Sequence, residues 1–470
     1  MFRKRILLLL TVALPLQACV VGPDYAPPAP GALGVPGGYS TPAPAGQPAD
    51  IAAWWTSFND PLLTSIVDRA RSGNLDIAQA VARLRQAREG LVQARAARLP
   101  SVSGSAGYGR DLLDAVGPRD NFSIGADASY QADLFGGVSR SIEASRASYA
   151  GSGYDLATVQ TSIAAEAGRN YILARQAQAS LAIARNSLAI QDDNLEISGF
   201  RVQAGLVSSL DVEQSRAQRA QTAATIPSLE QNYQSAVNRL GVLTGQAPGA
   251  LKAELEATAP IPAGPAMIAV GIPADALRQR PDVRAAERRL AAATAQIGVA
   301  EAQLYPALNI TGNIGTAAAS LGSLASIVTG GLFAGLSQLI FDGGRTRSQV
   351  RSQQAAAEGA FALYKQTVLT ALEDVENALT ALQAAKDRQA QFAIALDAAN
   401  NSAILSRSQY RAGLTDITTL NTNESSLLSA QNGLSNAKAD QAQALVQLYL
   451  ALGGGWDSTS VPQAPTTQTP

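Results

Sequence analysis

The side chains that most often carry enzyme chemistry are scarce in this chain of 470 residues. It has no histidine, so the usual general base near neutral pH, the Ser-His-Asp arrangement and most transition-metal sites lack their central residue. None of its five lysines follows a glycine, which excludes the GxxxxGK[ST] loop that binds nucleotide phosphates. The acidic residues are scattered at helical spacing, a pattern typical of solvated or pore-lining faces. The sequence therefore predicts a protein that is not an enzyme and that uses no cofactor or metal.

The balance of charge excludes a class of partner as well. The chain has 36 Lys and Arg residues against 37 Asp and Glu residues. A nucleic-acid binder needs a basic field to displace counterions from phosphates, and this chain has none. We expect no nucleic-acid partner. Only 5% of the residues are aromatic, and this composition favours long helices over compact enzyme-like domains.

The only cysteine, Cys19, has a different chemistry available to it. Three basic residues at positions 3–5 precede an apolar run from Ile6 to Leu14, and small residues then lead to a possible cleavage point, so residues 1–18 are predicted to be a signal peptide. The run is too short to span a bilayer. The order Leu-Gln-Ala-Cys resembles the bacterial lipobox, which predicts a covalent lipid on Cys19; the alternative is an ordinary signal peptide with an incidental cysteine. By the same resemblance, Val20 in place of Asp points to the outer membrane.

The mature chain divides into segments, two of which are related. Residues 19–50 are rich in Pro, Gly and Ala, and we expect them to form an extended tether between the lipid and the body. In the body, Leu99-Pro100 corresponds to Tyr305-Pro306 and Ala204-Gly205-Leu206 to Ala412-Gly413-Leu414, at an offset near 206 to 209 residues. This pattern predicts a first repeat over 51–245, a linker over 246–281, a second repeat over 282–454 and a flexible tail over 455–470.

Each repeat contains segments in which polar and apolar residues alternate, at about 101–135 and about 307–341. Alternation over runs of about ten residues is typical of membrane-barrel strands, and it predicts two strands in each repeat. The segment from Ala307 to Phe341 has no charged residue, and its part from Leu324 to Phe341 could be taken for a membrane helix. Its Gly330-Gly331 pair and its many serines favour strands.

Long helices are predicted after the strands, because apolar residues recur every seven positions on both sides of the Ala-Gly-Leu segments. The pattern predicts two antiparallel helical hairpins, at about 138–245 and about 344–452, with those segments as their tips. The repeating positions are Ala167, Ala174, Leu181, Leu188 and Leu195 in the first repeat, and Val368, Val375, Leu382, Leu396, Ala403 and Tyr410 in the second.

Four strands in a chain require a partner. Hydrocarbon cannot satisfy the polar groups of an open strand edge, and the smallest barrels have eight strands. The sequence therefore predicts a mixed α+β membrane protein in which two or more copies share one barrel, continued by a coiled-coil barrel of helices. Arithmetic alone leaves a dimer, a trimer and a tetramer open.

Several ordered motifs resemble one family, the outer-membrane factors of tripartite efflux systems (TolC-like, of the nodulation-protein-T type). The resemblance implies a homotrimer with a twelve-stranded barrel in the outer membrane, a twelve-helix periplasmic tunnel and an equatorial belt built from residues near 51–75, 246–281 and the C-terminus. It also implies docking to a periplasmic adaptor and to an inner-membrane pump of the resistance-nodulation-division type, with passive conduction of small molecules. The motifs are Val21-Gly22-Pro23-Asp24-Tyr25, Trp54-Trp55, Asp60-Pro61-Leu62, Asp133-Leu134-Phe135-Gly136 and Arg280-Pro281-Asp282-Val283-Arg284.

The resemblance also suggests where specific work is done. The hairpin tips, Gly205-Leu206-Val207 and Gly413-Leu414-Thr415, correspond to the adaptor-facing end, although they can equally be simple turns. Family members commonly carry an aspartate and an arginine just beyond the second tip that hold the pore closed, whereas this chain has Thr422 and Ser425. We therefore expect other residues near the tip to shape the closed aperture, with a solvated helix surface as the alternative. These candidates are Asp416, Asn421, Asn423 and Glu424.

Other functions remain open from the sequence. An outer-membrane duct for metal ions or secreted proteins would have the same pattern. A structural coiled-coil lipoprotein would explain the anchor and the heptads, but it would not explain four alternating strands that recur at a fixed spacing.

Overall fold

The computed structural model describes residues 20–41, 51–112, 119–265, 268, 270 and 273–457 of the chain. The predicted signal peptide and Cys19 lie outside the described residues. Four strands form one antiparallel sheet, and most of the remaining described residues are helical. The helices are α1 (Pro61–Gly73), α2 (Leu75–Ala96), α3 (Gly137–Gln203), α4 (Ser209–Leu243), α5 (Lys252–Leu255), α6 (Pro273–Gln279), α7 (Pro281–Ala302), α8 (Arg345–Arg411) and α9 (Ile417–Ala451).

The strands lie side by side in chain order: β1 (Ser101–Asp111), β2 (Arg119–Ala132), β3 (Ala307–Ala318) and β4 (Thr329–Ser337). The register keeps the polar and apolar faces separate. One row across the sheet contains Val102, Ala128, Gly312 and Leu332, and the neighbouring row contains Ser101, Ser129, Thr311 and Phe333. The segment from Ala307 to Phe341 therefore contains two strands, as its glycines predicted. Among the described residues, none of the helices combines the length and apolar character needed to cross a bilayer.

The two halves of the chain have helices of equal length. Helices α2 and α7 each have 22 residues and begin 206 positions apart, at Leu75 and Pro281. Helices α3 and α8 each have 67 residues, α4 and α9 each have 35, and both pairs begin 208 positions apart. Helices α3 and α4 form the first hairpin, and α8 and α9 form the second.

An aspartate between a strand and the helix that follows it caps the start of both α3 and α8. The Asp133 carboxylate accepts hydrogen bonds from the Val138 and Ser139 amides at 3.0 and 2.8 Å. Asp342 accepts from the Thr346 hydroxyl at 2.6 Å and from the Thr346 amide at 2.8 Å, which lowers the pKa of Asp342 to about 2. A carboxylate at this position satisfies helix amides that have no partner within the helix, so both junctions between sheet and helix are fixed.

The largest hydrophobic cluster lies midway along α3 and α8, where the shorter return helices α4 and α9 end. We call it the central core. Trp54 is 1% exposed, stacks on Tyr449 with the ring centroids 5.6 Å apart, and packs edge-on against Trp55. The predicted linker contributes to the same cluster through Leu251 and Leu255. Helix α1 begins beside this core. Its first residue is fixed by the N-cap residue Asp60, whose side chain accepts two backbone amides, and by Pro61 at the first position of the helix.

The segment before the body is docked along the helices. Residues 20–41, the N-terminal strap, are mostly extended as predicted, but they lie against α3, α7 and α8. Arg140 donates to the backbone oxygens of Val21 and Gly22 at 3.1 and 3.0 Å and forms an ion pair with Asp24 at 2.7 Å. At the other end of the strap, the Ser40 amide donates to Glu376 at 2.6 Å. The prediction of a tether is therefore incomplete. The composition indicated an extended backbone, but it did not predict that the strap binds along the helices. Residues 42–50 lie outside the described residues.

The flexible tail predicted from residue 455 is wrong for its first residues. The Trp456 side chain is buried, its ring packs edge-on against Tyr154, and its indole N–H donates to the Gln279 carbonyl oxygen at 3.1 Å. The Gly455 amide donates to the Ile51 carbonyl oxygen at 2.9 Å. The partners of Trp456 and Gly455 are far away in the sequence, so the local composition alone predicted a flexible tail. Residues 458–470 lie outside the described residues.

Candidate gate at the distal end of the hairpins

Two tight turns, residues 204–208 and 412–416, mark the end of the hairpins farthest from the sheet, which we call the distal end. Gly205 and Gly413 have φ angles of 66° and 73°, a region that favours glycine. The amides of Leu206 and Leu414 donate back to Arg201 and Gln409 carbonyl oxygens at 2.9 and 2.8 Å, as expected where an α-helix ends in a glycine turn. The Leu206 and Leu414 side chains are exposed, whereas Val207 and Thr415 are partly buried.

A contact between the hairpins lies directly behind the turns. The Tyr410 ring is buried at the end of α8, and its hydroxyl lies 3.0 Å from the Ser198 hydroxyl of α3. Ser198 lies in turn 3.3 Å from the Ser215 hydroxyl of α4. The Arg201 guanidinium lies over the Tyr410 ring, 4.6 Å from its centroid, and donates to the Tyr410 carbonyl oxygen at 2.9 Å. The two tips are therefore joined by polar contacts around one aromatic ring.

A buried charge provides a second contact between the hairpins. Glu424 on α9 is only 3% exposed, and its carboxylate accepts a hydrogen bond from the Asn194 amide of α3 at 2.9 Å. The same oxygen accepts from the Arg407 guanidinium of α8 at 2.8 Å. Glu424 was predicted to shape an aperture, but in the single chain its carboxylate faces the neighbouring helices. Glu424 therefore connects α9 to both α3 and α8.

The other aperture candidates lie in different environments. Asp416 is the N-cap residue of α9, and its carboxylate accepts from the Thr419 amide at 2.7 Å. The Asn423 side chain is partly buried and donates to the Thr419 carbonyl oxygen at 3.0 Å, so it turns back along its own helix. Asn421 lines an open groove between the hairpins. Asn421 and the exposed Asp416 therefore have access to open space, and of the four candidates Asn421 is the one that lines the groove.

The groove has a volume of about 840 Å³, and no charged residue lines it among the described positions. Its floor is the first half of α9, which includes Thr422 and Ser425, the positions where family members commonly have charges. Gln218 of α4 bridges to Ser425 at 3.0 Å. Amide and hydroxyl groups therefore occupy this surface in place of the usual charged pair.

The sequence did not predict several of the buried residues at the distal end. Gln191, Asn194 and Ser198 are buried along α3, whereas the heptad positions Leu188 and Leu195 are only partly buried. The heptad prediction holds at Ala174 and Leu181 but is wrong for residues 187–198 of α3, where the buried positions are polar. A regular spacing of four, three and four residues from Ser187 to Ser198 was the available signal, but the same spacing also describes a solvated helix face.

At the opposite end of the molecule, the strap meets the junction between sheet and helix. Val20 contacts Gly136, the N-cap residue of α3, and any side chain at Gly136 would clash with Val20. The Val21 amide donates to the Phe135 carbonyl oxygen at 3.2 Å. Val20, the residue that follows the predicted lipid site in the sequence, therefore lies at the boundary between the strands and the long helices.

These features define a class of protein. A sheet with one polar and one apolar face, two free edges and continuous helical hairpins is typical of proteins that form channels through bacterial outer membranes. The family model described as outer membrane efflux protein matches residues 66–246 and again residues 272–454, so it matches each half separately. The chain belongs to this family, and it is an outer-membrane efflux channel.

Relatives match along nearly the whole chain. Nodulation protein T of Rhizobium leguminosarum bv. trifolii is 32% identical over 453 residues, which cover 95% of this chain and 96% of that protein. The pyoverdine export outer membrane protein OpmQ of Pseudomonas putida is 32% identical over 476 residues, 97% of this chain and 98% of that protein. Toluene efflux pump outer membrane protein TtgF of Pseudomonas putida is 29% identical, with 96% and 97% covered.

Solved structures have the same fold. The outer-membrane channel OprN superposes with a TM-score of 0.85 at 33% identity, covering 93% of this chain and 100% of that one. The CmeC outer membrane channel of Campylobacter jejuni also has a TM-score of 0.85 and covers 94% of this chain and 96% of that one, at 21% identity. The mixed fold of a small sheet and long helices is therefore confirmed.

Proposed function

We propose that three copies of this chain form one channel, with a twelve-stranded barrel in the outer membrane and a twelve-helix tunnel in the periplasm. The observation that carries the proposal is the open sheet, whose edge strands β1 and β4 have no outer partner in the described part of a single chain. Such an edge is not stable in hydrocarbon, and four strands are too few to close a barrel. The number three is supported by the resemblance to the family, since strand arithmetic also permits a dimer or a tetramer.

A lipid on Cys19 would anchor this channel at a definite depth. Val20 is held at the start of α3, one residue after the lipid site, and β2 ends only five positions before α3 begins. Acyl chains attached there would enter the leaflet beside the periplasmic end of the barrel. The strap, fixed by Arg140, then leads away from the membrane along the helices. This arrangement supports the proposal that a lipid on Cys19 anchors the channel in the outer membrane.

The hairpins would receive cargo from partners. Helix α3 is 67 residues long, so it extends on the order of 100 Å from the sheet toward the inner membrane. The exposed Leu206 and Leu414 at the two hairpin tips suit docking of a periplasmic adaptor, which would connect the channel to an inner-membrane pump of the resistance-nodulation-division type. The channel itself would conduct passively and carry out no enzymatic step. The distal contacts, including Glu424, would keep it closed until the adaptor binds.

We propose small organic molecules as the cargo. The relatives are named for pyoverdine export, for toluene efflux and for antibiotic efflux, and all three are organic compounds. The pump is expected to select the compound, because the groove and tips of this chain show no charged binding pocket. A strain that lacks the gene should become sensitive to drugs, dyes or detergents, and the wild-type gene should restore resistance. Sensitivity to metal ions alone would favour the metal duct instead.

Assembly and conduction test the proposal directly. The full chain, purified from outer membranes in mild detergent, should migrate as a heat-modifiable trimer and conduct ions in planar bilayers. The variant Cys19→Ser should lose its fatty-acid label, and it should be recovered from outer membranes in smaller amounts. A monomer that never conducts would favour a structural lipoprotein and would overturn the proposal.

A further inference from the structure

A single aromatic ring lies on the polar face of the sheet, the face that contains Ser129 and Thr311. The register places Phe333 of β4 opposite Thr311, and no other residue of this face in the described strands is aromatic. The Phe333 side chain is 61% exposed. In a membrane barrel the polar face lines the interior, so the ring of Phe333 would be in contact with whatever passes through the channel.

The neighbouring residues on β4 leave this ring uncovered. Gly331 and Gly335 lie on the same face, one before and one after Phe333. A Cβ added at Gly331 would be 2.8 Å from two carbon atoms of the ring, so the ring leans over Gly331 and needs a glycine there. A Cβ added at Gly335 would have no atom within 4 Å, so the sheet is open on the other side of the ring. The result is a flat, glycine-lined surface beside an exposed aromatic ring.

A carboxylate lies in the row toward which the ring leans. The register pairs Asp127 of β2 with Asn313 of β3, and Asn313 with Gly331 of β4. Asp127 is exposed, and two strand spacings of about 4.8 Å put it roughly 10 Å from Gly331. The other charged residues of this face in the described strands, Asp111 and Arg119, lie opposite each other at the far end of the sheet, eight positions from Asp127 along β2. No cation on this face therefore lies close to Asp127 in the described strands.

We propose that Phe333 and Asp127 form a contact site for planar aromatic cations on the inner wall of the barrel. The rings of such a compound would stack on Phe333, and its positive charge would be attracted by the Asp127 carboxylate and by the face of the phenyl ring. A separation of roughly 10 Å matches a compound of two or three fused rings with a charged group at one end. The inference rests on the proposed channel and deepens it, because it names one chemical class among small organic cargo.

The chemistry of the site favours this class over the other small molecules. A neutral apolar compound would gain only the ring contact, and an anion would be repelled by Asp127. At an exposed site a cation over an aromatic ring changes the affinity by about two- to fivefold, and an exposed ion pair changes it by at most about fivefold. Such contacts are weak, and a conduction pathway requires weak contacts because the cargo must leave again. The site would therefore delay an aromatic cation without retaining it.

Binding of proflavine, a planar three-ring cation, tests the site in the full assembled channel. The channel is placed in phosphatidylcholine nanodiscs, and the fluorescence anisotropy of the dye is measured against empty nanodiscs. Phe333→Ser and Phe333→Leu should each weaken the affinity by about two- to fivefold, whereas Phe333→Tyr keeps the ring and should bind as the wild type does. Asp127→Asn should weaken binding at low salt, and this difference should shrink at high salt. The matched control Asp111→Asn, on the same face but far from the ring, should leave the affinity unchanged.

A planar anion separates the charge from the ring. Wild-type channels should bind anthracene sulfonate more weakly than proflavine, and Asp127→Asn should narrow this gap. A gap that is the same in both proteins would overturn the role of the carboxylate. Wild-type affinity for proflavine in Phe333→Leu would overturn the role of the aromatic ring, because leucine keeps an apolar side chain without it.

The outcomes also separate the site from the channel itself. Each variant is first checked for migration as a heat-modifiable trimer and for ion conduction in planar bilayers. Equal proflavine affinity in the wild type, Phe333→Ser and Asp127→Asn, all of them conducting, would overturn the contact site and leave the proposed channel intact. A wild-type chain that never forms a conducting assembly would overturn both.

Discussion

The central core and the distal end of the hairpins are packed by different means. In the central core, large apolar side chains such as Trp54 and Leu63 are fully buried. At the distal end the apolar cluster is small and consists of Tyr410, Ile417 and Leu420. Buried polar groups beside it include Asn194, Ser198 and Glu424. Apolar packing resists separation because water cannot replace it, whereas a polar group exchanges one hydrogen-bond partner for another at a modest net cost. The comparison suggests that the hairpins are fixed at their middle and can separate at their distal end.

The polar groups inside the central core strengthen this contrast. The Tyr171 hydroxyl donates to Asp60 at 2.8 Å, and burial raises the pKa of Tyr171 to about 12. Arg175 donates to Gln178 and to the Ala257 carbonyl oxygen, both at 2.7 Å. These hydrogen bonds of Tyr171 and Arg175 all lie within the central core. The distal contacts connect two hairpins whose helices end a few residues further on, so they can break without unfolding the core.

Loss of a core aromatic should have the largest effect on stability. Trp54→Ala removes a buried ring that contacts Tyr449, Trp55 and Phe58, and it should lower the free energy of unfolding by about 3–5 kcal/mol. Thermal unfolding of the assembled channel measures the change, and Trp54→Phe should cost less. An unchanged unfolding midpoint, or a channel that opens more often with unchanged stability, would remove the distinction between the two regions.

Loss of the buried carboxylate should instead affect opening. Glu424→Ala leaves Arg407 and Asn194 without their shared acceptor, at a cost of about 1–3 kcal/mol; the lower part of this range is expected because the Arg407 side chain is 25% exposed. Single-channel recordings should show a higher open probability, while the midpoint of global unfolding stays nearly unchanged.

A double variant shows whether the charge or the packing matters at Glu424. Replacing both partners with leucine removes the ion pair without leaving a buried charge, and such replacements are often neutral. The pair Glu424→Leu and Arg407→Leu should therefore be closer to the wild type in open probability than Glu424→Ala. Equal opening by the wild type and all variants would show that Glu424 does not hold the hairpins together.

A smaller change should follow from removing one hydroxyl. Tyr410→Phe loses the contact with Ser198 but keeps the ring beneath Arg201, and it should weaken the distal contact by about 1 kcal/mol. The open probability should rise less than in Glu424→Ala. Ser198→Ala removes the other partner and should give a similar result. If Tyr410→Phe opens the channel more than Glu424→Ala, the tyrosine contact is the stronger of the two.

Local patterns in the sequence predicted much of the fold. Alternating polarity identified both strands of each repeat, and the glycines at 205 and 413 identified the turns, because these signals depend on neighbouring residues. Composition could not predict the docking of the strap or of Trp456, whose partners Arg140 and Gln279 are far away in sequence. Such contacts depend on the folded surface, which a single sequence does not reveal.

The contacts at the distal end were the least predictable for a related reason. Asn194 and Glu424 are 230 positions apart, and each lies on a helix whose polar residues look like a solvated face. The sequence predicted that residues after the second tip shape the aperture, but it could not show which of them face a neighbouring helix. The absence of the usual charged pair at Thr422 and Ser425 was visible, whereas its replacement by amides and hydroxyls in a groove required the structure.

The smallest expected effect concerns Asp416, which caps α9 at the tip without connecting the hairpins. The hydrogen bond from the Thr419 amide lowers the pKa of Asp416, so the folded state favours the carboxylate. Its stabilisation is therefore complete above the ordinary aspartate pKa of about 3.9, and it is lost only as the pH falls through the lowered folded value. At pH 7, Asp416→Ala should speed hydrogen exchange in the first turn of α9 and leave global unfolding unchanged, while Asp416→Asn should keep the cap. Because Asp416 stays charged down to about pH 5, any opening on mild acidification that persists in Asp416→Asn must come from another group, whereas its disappearance in that variant would make the cap part of the gate.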